Sequence, residues 1–267
     1  MLEIYPHTKE AHYSSFSAES AGAPSGVGVY LSVIVPAFNE EKRLLGTLRE
    51  IDKYLRSQNY ESEILVVSDG STDRTNEITK NLMAEIKNLR LLEFPNKRGK
   101  GFGVRQGMLE AEGSYRLFTD ADNSTSVDQV EKMLPYFKEG YDIVIGSRDI
   151  KGAVLDPPQP CQRRFTGEAF KLVRKIIVGL WEIQDSQCGF KCFTKKAAEK
   201  IFPKCKIDRF SFDAEVLLIA KKFKYKIKEI PIYWKNDLAS KVKFKSMVKM
   251  ALDLVKIRWH LIIGKYN

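Results

Sequence analysis

Five short apolar runs, at 31–36, 63–67, 89–94, 115–119 and 143–145, recur along the first 150 residues, with helical patterns between them. This alternation predicts an α/β fold: a mostly parallel central sheet flanked by helices. The first run is β-branched and stops at Pro36. Asn39 is then expected to cap a helix, with Glu40 and Glu41 in its first turn and Leu44, Leu45, Leu48, Ile51 and Leu55 as its apolar stripe. After the second run, 69–73 reads as a turn, and Asp73 as the cap of a helix carrying Ile78, Leu82 and Ile86. Further helices are expected over 103–111 and 127–137. Open parallel sheets bind ligands outside the carboxyl ends of their strands. Asn39-Glu40, Asp69, the segment 97–100, Asp120 with Asp122, and Ser147-Arg148 all fall at such ends, so they should converge on one edge.

Beyond Arg148 the pattern loosens. Pro157, Pro158 and Pro160 mark a loop. A basic helix is expected over 163–180, a strand over 188–193, a helix over 212–223, a strand over 228–234 and an amphipathic helix over 246–263. This pattern divides the chain into an irregular extension over 1–29, a folded unit over 30–242 whose character changes near residue 150, and a C-terminal helical segment over 243–267.

With 43% hydrophobic and 29% charged residues, a folded core is expected rather than disorder. The formal net charge of +10 points to an anionic partner: a phosphorylated substrate, an anionic membrane surface or nucleic acid. Nucleic acid is disfavoured, because the basic residues lack interleaved aromatics on a recognisable module. Cys188 and Cys192 are spaced as a C-x3-C pair, but nothing completes a zinc site, so the four cysteines are read as reduced structural thiols. No run of about 18 apolar residues is present to span a membrane, and the first residues do not read as a signal peptide.

The motif of most chemical weight is Thr119-Asp120-Ala121-Asp122-Asn123. Two carboxylates one residue apart at a strand end can turn toward one hard cation. The segment Asn96-Lys97-Arg98-Gly99-Lys100-Gly101-Phe102-Gly103 is neither a Walker A loop nor G-x-G-x-x-G. A helix starting near Gly101 among Lys97, Arg98, Lys100 and Arg105 nonetheless suits a diphosphate. Asp69, after a buried strand, could accept hydrogen bonds from a base ring. Arg148, Arg163 and Arg164 add planar forks suited to phosphate. In Asp185-Ser186-Gln187-Cys188-Gly189-Phe190-Lys191 a glycine stands where backbone could approach a ligand.

Taken together, Pro36-Ala37-Phe38-Asn39-Glu40-Glu41, Ser68-Asp69-Gly70-Ser71-Thr72-Asp73, Arg98-Gly99-Lys100-Gly101 with Val104-Arg105-Gln106-Gly107-Met108, and Asp120-Ala121-Asp122 resemble the family-two glycosyltransferases of the GT-A nucleotide-diphospho-sugar transferase fold. Within that family, 185–191 and Phe212-Asp213-Ala214-Glu215 resemble the dolichyl-phosphate β-glucosyltransferase branch, whose near neighbours are the dolichyl-phosphate mannose synthases. The resemblance covers about 31–260 and implies a catalytic domain over 30–242, with a nucleotide-sugar half over 30–150 and an acceptor half over 151–242. It implies that Pro36, Phe38 and Glu40 line a nucleotide pocket, with Asp69 at the base and Lys100 and Arg105 near the donor. Asp120 and Asp122 would hold Mg2+ or Mn2+, Asp122 and Arg148 would serve catalysis, and Arg163, Arg164, Ser240 and Lys241 would meet an acceptor phosphate. Two positions depart from the family pattern: Ser68 stands where many relatives carry a first Asp, and Asn123 leaves a third metal ligand unassigned.

The resemblance further implies an inverting, metal-dependent transfer of glucose from UDP-glucose to dolichyl (polyprenyl) phosphate. The alternatives are GDP-mannose as donor, a sugar hydroxyl as acceptor, or a non-catalytic nucleotide-binding protein. A phosphate acceptor is already largely anionic at neutral pH, its second pKa being about 6, so it needs no strong base. Asp185 and Asp213 are the possible bases. In the C-terminal helix, Val248, Ala251, Leu252 and Val255 share one face and Lys245, Lys249, Lys256 and His260 another, with Trp259 suited to a headgroup boundary. A peripheral attachment to the cytosolic face of a membrane (the endoplasmic reticulum in a eukaryote) is therefore expected.

Overall fold

The computed structural model describes residues 28–158, 161–235 and 244–267, with side chains undescribed at 161–166, 169–170 and 244–248. The expected extension over 1–29 thus lies almost wholly outside the described residues, as do Ser240 and Lys241. The order of elements is β1 (Leu31–Ala37), α1 (Leu44–Arg56), β2 (Ser62–Asp69), α2 (Thr75–Met83), β3 (Leu89–Phe94), α3 (Lys100–Glu110), β4 (Tyr115–Thr119), α4 (Leu134–Lys138), β5 (Ile143–Ser147), β6 (Val154–Asp156), α5 (Cys161–Val178), β7 (Phe190–Thr194), α6 (Lys195–Ile201), α7 (Phe212–Lys222), β8 (Ile227–Pro231), β9 (Tyr233–Lys235) and α8 (Phe244–Ile262).

Seven strands form one sheet in the order β3-β2-β1-β4-β7-β5-β8, and β6 pairs with β9 in a small second sheet. All neighbours in the large sheet run parallel except β7, which is antiparallel to both β4 and β5. β7, from beyond residue 150, lies between β4 and β5 from before it, so the two stretches share one sheet. Both faces are covered, which is why the central strands bury apolar residues on both faces, with Ser32, Glu63, Arg116 and Lys191 as buried polar exceptions that each find a partner. Ile34, Leu65, Val67 and Phe118 join one core with α3, α6, α7 and α8. Their neighbours Val33, Val35, Ile64, Val66 and Leu117 join the other core with α1. Strand order reverses between β1 and β4, and the crevice that such a reversal opens lies beyond Ala37 and Thr119.

Three expected elements differ. α1 starts at Leu44, not after Asn39, because Asn39 takes a left-handed φ of 55° and its side chain bonds the 71–72 turn instead. The helix expected over 127–137 is a 3-10 turn, Val127–Lys132, followed by α4, whose second residue is Pro135. A proline has no N–H to continue a longer helix. The strand expected over 228–234 breaks at Ile232, where the chain leaves the large sheet for the small one.

α3 lies directly on β1 and β2 through its glycines. A Cβ on Gly107 would press into Ile34 Cγ2 and stand 3.0 Å from Val67 Cγ2, both fully buried. Gly107→Ala would gain about 1 kcal/mol of helix propensity, but the overlap with a closed core costs about 1–3 kcal/mol. The overlap should win. Urea unfolding is expected to show a net loss of up to about 2 kcal/mol, and raised stability would mean that the α3–sheet contact is loose.

Candidate active site

The loops after β1 and β2 are laced together. Glu40 N–H donates to Thr75 Oγ1 at 2.8 Å, Glu41 N–H to Asp73 Oδ2 at 3.1 Å and Thr72 N–H to Asn39 Oδ1 at 2.8 Å. Asp73 also accepts from Thr75 N–H at 3.0 Å; it stands one residue before the N-cap, Arg74, so it bonds the first residue of α2 from outside the cap position and holds the neighbouring loop as well. Pro36, Phe38 and Glu40 are half-buried along this edge, and the Lys97 ammonium lies 3.3 Å above the Phe38 ring.

At the end of β4, Asp120 and Asp122 flank Ala121, whose carbonyl accepts from Thr47 Oγ1 on α1 at 2.8 Å. The Lys100 ammonium forms an ion pair with Asp120 Oδ1. Burial alone would lower Lys100, but Asp120 and then Asp213 outweigh it and hold the ammonium above its ordinary range. Asp122 accepts from Ser124 N–H at 3.0 Å and lies 3.9 Å from the Arg43 guanidinium. Arg43 also forks onto Glu40. Glu40 titrates above the usual range, first through burial and then through the nearby Asp122 and Asp120, against the pull of Arg43. The backbone of Gly189 abuts Asp120 so closely that a Cβ there would occupy the space of the carboxylate. The sequence reading expected a ligand against the backbone here, whereas the structure sets the Asp120 carboxylate there. Asn123 turns away from the pair, its amide donating to Glu50.

Deeper in, Lys191 on β7 is fully buried. Its ammonium donates to the Cys188 carbonyl and pairs with Asp213 in the first turn of α7. Arg148, after β5, forks onto Asp185 with bonds of 2.6 and 2.9 Å, and its guanidinium lies 4.8 Å from the Trp234 ring. Glu229 on β8 fixes this segment by accepting from the N–H groups of Gln184 and Asp185. Asp185, Asp213 and Lys191 carry charge on a ridge that continues the Asp120–Lys100 pair.

A family model, Glycosyl transferase family 2, matches residues 32–202, well over half of the chain. The chain belongs to glycosyl transferase family 2. It is a glycosyltransferase. A dolichyl-phosphate beta-glucosyltransferase of Trichomonas vaginalis is 39% identical over 250 residues, covering 90% of this chain and 74% of that protein. The enzymes of the same name from Saccharomyces cerevisiae and Homo sapiens are 33% and 32% identical, covering 90% and 100% of this chain and 77% and 87% of theirs. Among solved structures, glucosyl-3-phosphoglycerate synthase from Mycobacterium tuberculosis, in complex with Mn2+ and UDP-glucose, aligns with a TM-score of 0.64 at 17% identity over 97% of this chain and 84% of that one. At this identity the likeness shows the fold alone.

Two residues of this glycosyltransferase are placed otherwise than expected. Arg105 does not face the crevice: it bonds the Cys205 carbonyl at 3.1 Å and Asp208 Oδ1 at 2.7 Å. Nor is the start of α3 open for a diphosphate, since Phe102 N–H already donates to the Asp208 carbonyl. Asp69 is buried, and its carboxylate accepts from the N–H groups of Arg98 and Gly99 at 2.6–3.0 Å, so it anchors the 97–100 loop. The sequence reading missed Asp208, which also holds Arg98, and it missed Lys191 as Asp213's partner. Nothing in the spacing marks either, because each partner comes from a distant segment. The side chains of Arg163 and Arg164 lie outside the described residues. Cys188, Cys192 and Cys205 are buried free thiols, and burial pushes Cys188 up to about 12, as inert structural cysteines require.

Burial alone would push Asp185 up, but Arg148 and then Lys191 outweigh it and bring the carboxyl down to about 2. Its unfolded value is about 3.9. The folded value is the lower one, so the pair contributes its full stability above about pH 4 and loses it as pH falls through 2. Asp185→Asn leaves Arg148 without its counter-charge and should cost about 3 kcal/mol at pH 7. In urea unfolding from pH 7 to pH 3, the gap between wild type and variant should narrow only below about pH 4. A gap independent of pH would show that the pair does not set acid stability.

Proposed function

We propose that this glycosyltransferase moves glucose, with inversion, from UDP-glucose to a dolichyl (polyprenyl) phosphate, assisted by Mg2+ or Mn2+. The observation that carries this reading is the Asp120–Asp122 edge, with its Gly189 cradle, in a chain whose relatives of 32–39% identity bear the name dolichyl-phosphate beta-glucosyltransferase. Asp120 and Asp122 are hard oxygen donors of the kind these cations take, with Glu40 nearby. Among the described residues no group of three His, Cys, Asp or Glu is arranged to hold a metal. Phosphate oxygens and water would therefore complete the coordination. When bound, the cation would neutralise charge on the departing diphosphate.

The chain's own residues then divide the work. Pro36, Phe38 and Glu40 line the crevice for the nucleotide, while Asp69 holds the loop that carries Lys97 and Lys100. Lys100 supplies a cation beside the leaving group, and Arg148, kept rigid by Asp185, offers its remaining N–H groups to phosphate. A general base is not needed for an acceptor that is already anionic. Both possible bases fit that view: Asp185 is too acidic to take a proton at neutral pH, and Asp213 is buried against Lys191.

Incubation with UDP-glucose, Mn2+ and a short polyprenyl phosphate should release UDP and yield a glucosylated lipid. GDP-mannose should release no GDP and yield no mannosylated lipid, and turnover with GDP-mannose alone would reassign the donor. Asp122→Ala should lower transfer at least about a hundredfold with an unfolding midpoint near wild type. Unchanged turnover at saturating metal would remove the centre of this reading.

A membrane surface is the partner that the acceptor requires. No described helix is long and apolar enough to cross a membrane. On α8, Leu254 and Ile257 are buried against the core, whereas Leu252, Val255, Trp259 and Ile262 form an exposed stripe, Leu252 and Ile262 each at 65%. Leu172 and Ile176 on α5, which packs against α8, are exposed too. Lys249, Lys256 and Arg258 are exposed on α8, but His260 is buried beside Tyr266 rather than on the polar face. This pattern supports docking on anionic lipid, which the proposal puts on the cytosolic face of the membrane. Full-length protein should co-sediment with phosphatidylserine vesicles at low salt and less at high salt. Replacing Leu252 and Trp259 by Ser should weaken vesicle binding at least about tenfold while UDP binding stays unchanged. Equal sedimentation of the variant would refute docking through this face.

A further inference from the structure

The Asp120–Asp122 edge is already largely compensated by the chain itself. Lys100 pairs with Asp120, and Arg43 forks onto Glu40 and approaches Asp122. Three carboxylates thus face two cations, leaving a single net negative charge in this group. Asp120 cannot swing freely to find another partner, because the Gly189 backbone walls it in on one side. Lys100 is differently placed. Besides Asp120, it feels the charge of Asp213, and its side chain keeps some exposure on the crevice side, within reach of a diphosphate held at Asp120 and Asp122 although the backbone at the start of α3 is closed. A divalent cation that comes alone must therefore compete with a tethered ammonium for Asp120 and finds few protein ligands in return. A diphosphate that comes with the cation changes both sides of that competition. Its oxygens give Lys100 a new anionic partner, and they complete the cation's coordination.

Resting on the reading of this crevice as a nucleotide-sugar site, we infer that Lys100 is a built-in counter-cation for Asp120, displaced by a divalent metal only when the donor's diphosphate is present. Lys100 then turns from Asp120 to the phosphates. Metal and donor enter as one neutralised unit, and the empty enzyme is kept from filling with metal alone. No covalent step is involved, only an exchange of ion pairs.

The test uses the full chain, with free Mn2+ followed by its electron paramagnetic resonance signal, with and without UDP. Wild type should bind Mn2+ weakly alone and at least about tenfold tighter with UDP. Lys100→Met removes the competing cation, so it should bind Mn2+ alone at least about tenfold tighter than wild type and gain less from UDP. Lys100→Arg, which keeps the charge, should stay near wild type. A Lys100→Met protein with a wild-type unfolding midpoint and an unchanged or weaker affinity for Mn2+ overturns the inference. The wild-type arm decides independently if that variant does not fold, since equal Mn2+ affinity with and without UDP also overturns it. If wild type binds neither UDP nor Mn2+ with UDP, the nucleotide-sugar reading falls and takes the inference with it. UDP binding without the Lys100→Met gain sinks the inference alone.

Discussion

Lys191 stands at the centre of the sheet, on the one antiparallel strand, with no exposed surface. An ammonium in that position is tolerated only if a carboxylate and further acceptors surround it. Asp213 supplies the carboxylate and the Cys188 carbonyl supplies another acceptor. This requirement fixes where α7 begins relative to β7, and it draws the 185–191 segment across the carboxyl end of the sheet. The neighbouring charges then follow in alternation: Lys100 between Asp213 and Asp120 on one side, Asp185 and Arg148 on the other. Burial pushes Asp213 up, yet Lys191 and Lys100 pull against it. Each member is stable in its place because the next one is there.

Such a ridge is costly to desolvate and gives little net stability compared with an apolar core of the same volume. Its value lies in position. Lys191 with Asp213 and Arg148 with Asp185 are each held by a neighbour of opposite sign and keep their places, so that in the exchange proposed above Lys100 is the member that changes partner. The Gly189 approach to Asp120 serves the same end, since backbone packed against a carboxylate restricts its rotamers.

A second clamp works from outside the sheet. Asp208 holds both Arg98 and Arg105, and its carbonyl takes the Phe102 N–H. The phosphate-loop cations thereby divide into two groups. Arg98 and Arg105 are turned to the 205–208 segment, while Lys97 and Lys100 remain on the crevice side. Basic residues that look alike in sequence thus have different surroundings, one pair bound to Asp208 and the other set beside Phe38 and Asp120.

The five parallel-type runs, their helices and the gathering of Asn39-Glu40, Asp69, 97–100, Asp120–Asp122 and Arg148 on one edge were legible in the chain, because side-chain periodicity and strand ends are local properties. The ordered motifs also determined the family. Tertiary structure alone decided that β7 would run antiparallel between β4 and β5, since pattern does not encode strand direction. It also decided that Asn39 would hold a neighbouring loop instead of capping a helix, that Arg105 would meet Asp208 about a hundred residues away, and that α8 would bury Leu254 and Ile257 while leaving Leu252 and Trp259 in solvent. The physical reason is common to all four. A residue's type sets which partners it can accept, but the choice among distant partners is made by the packing that brings them within reach.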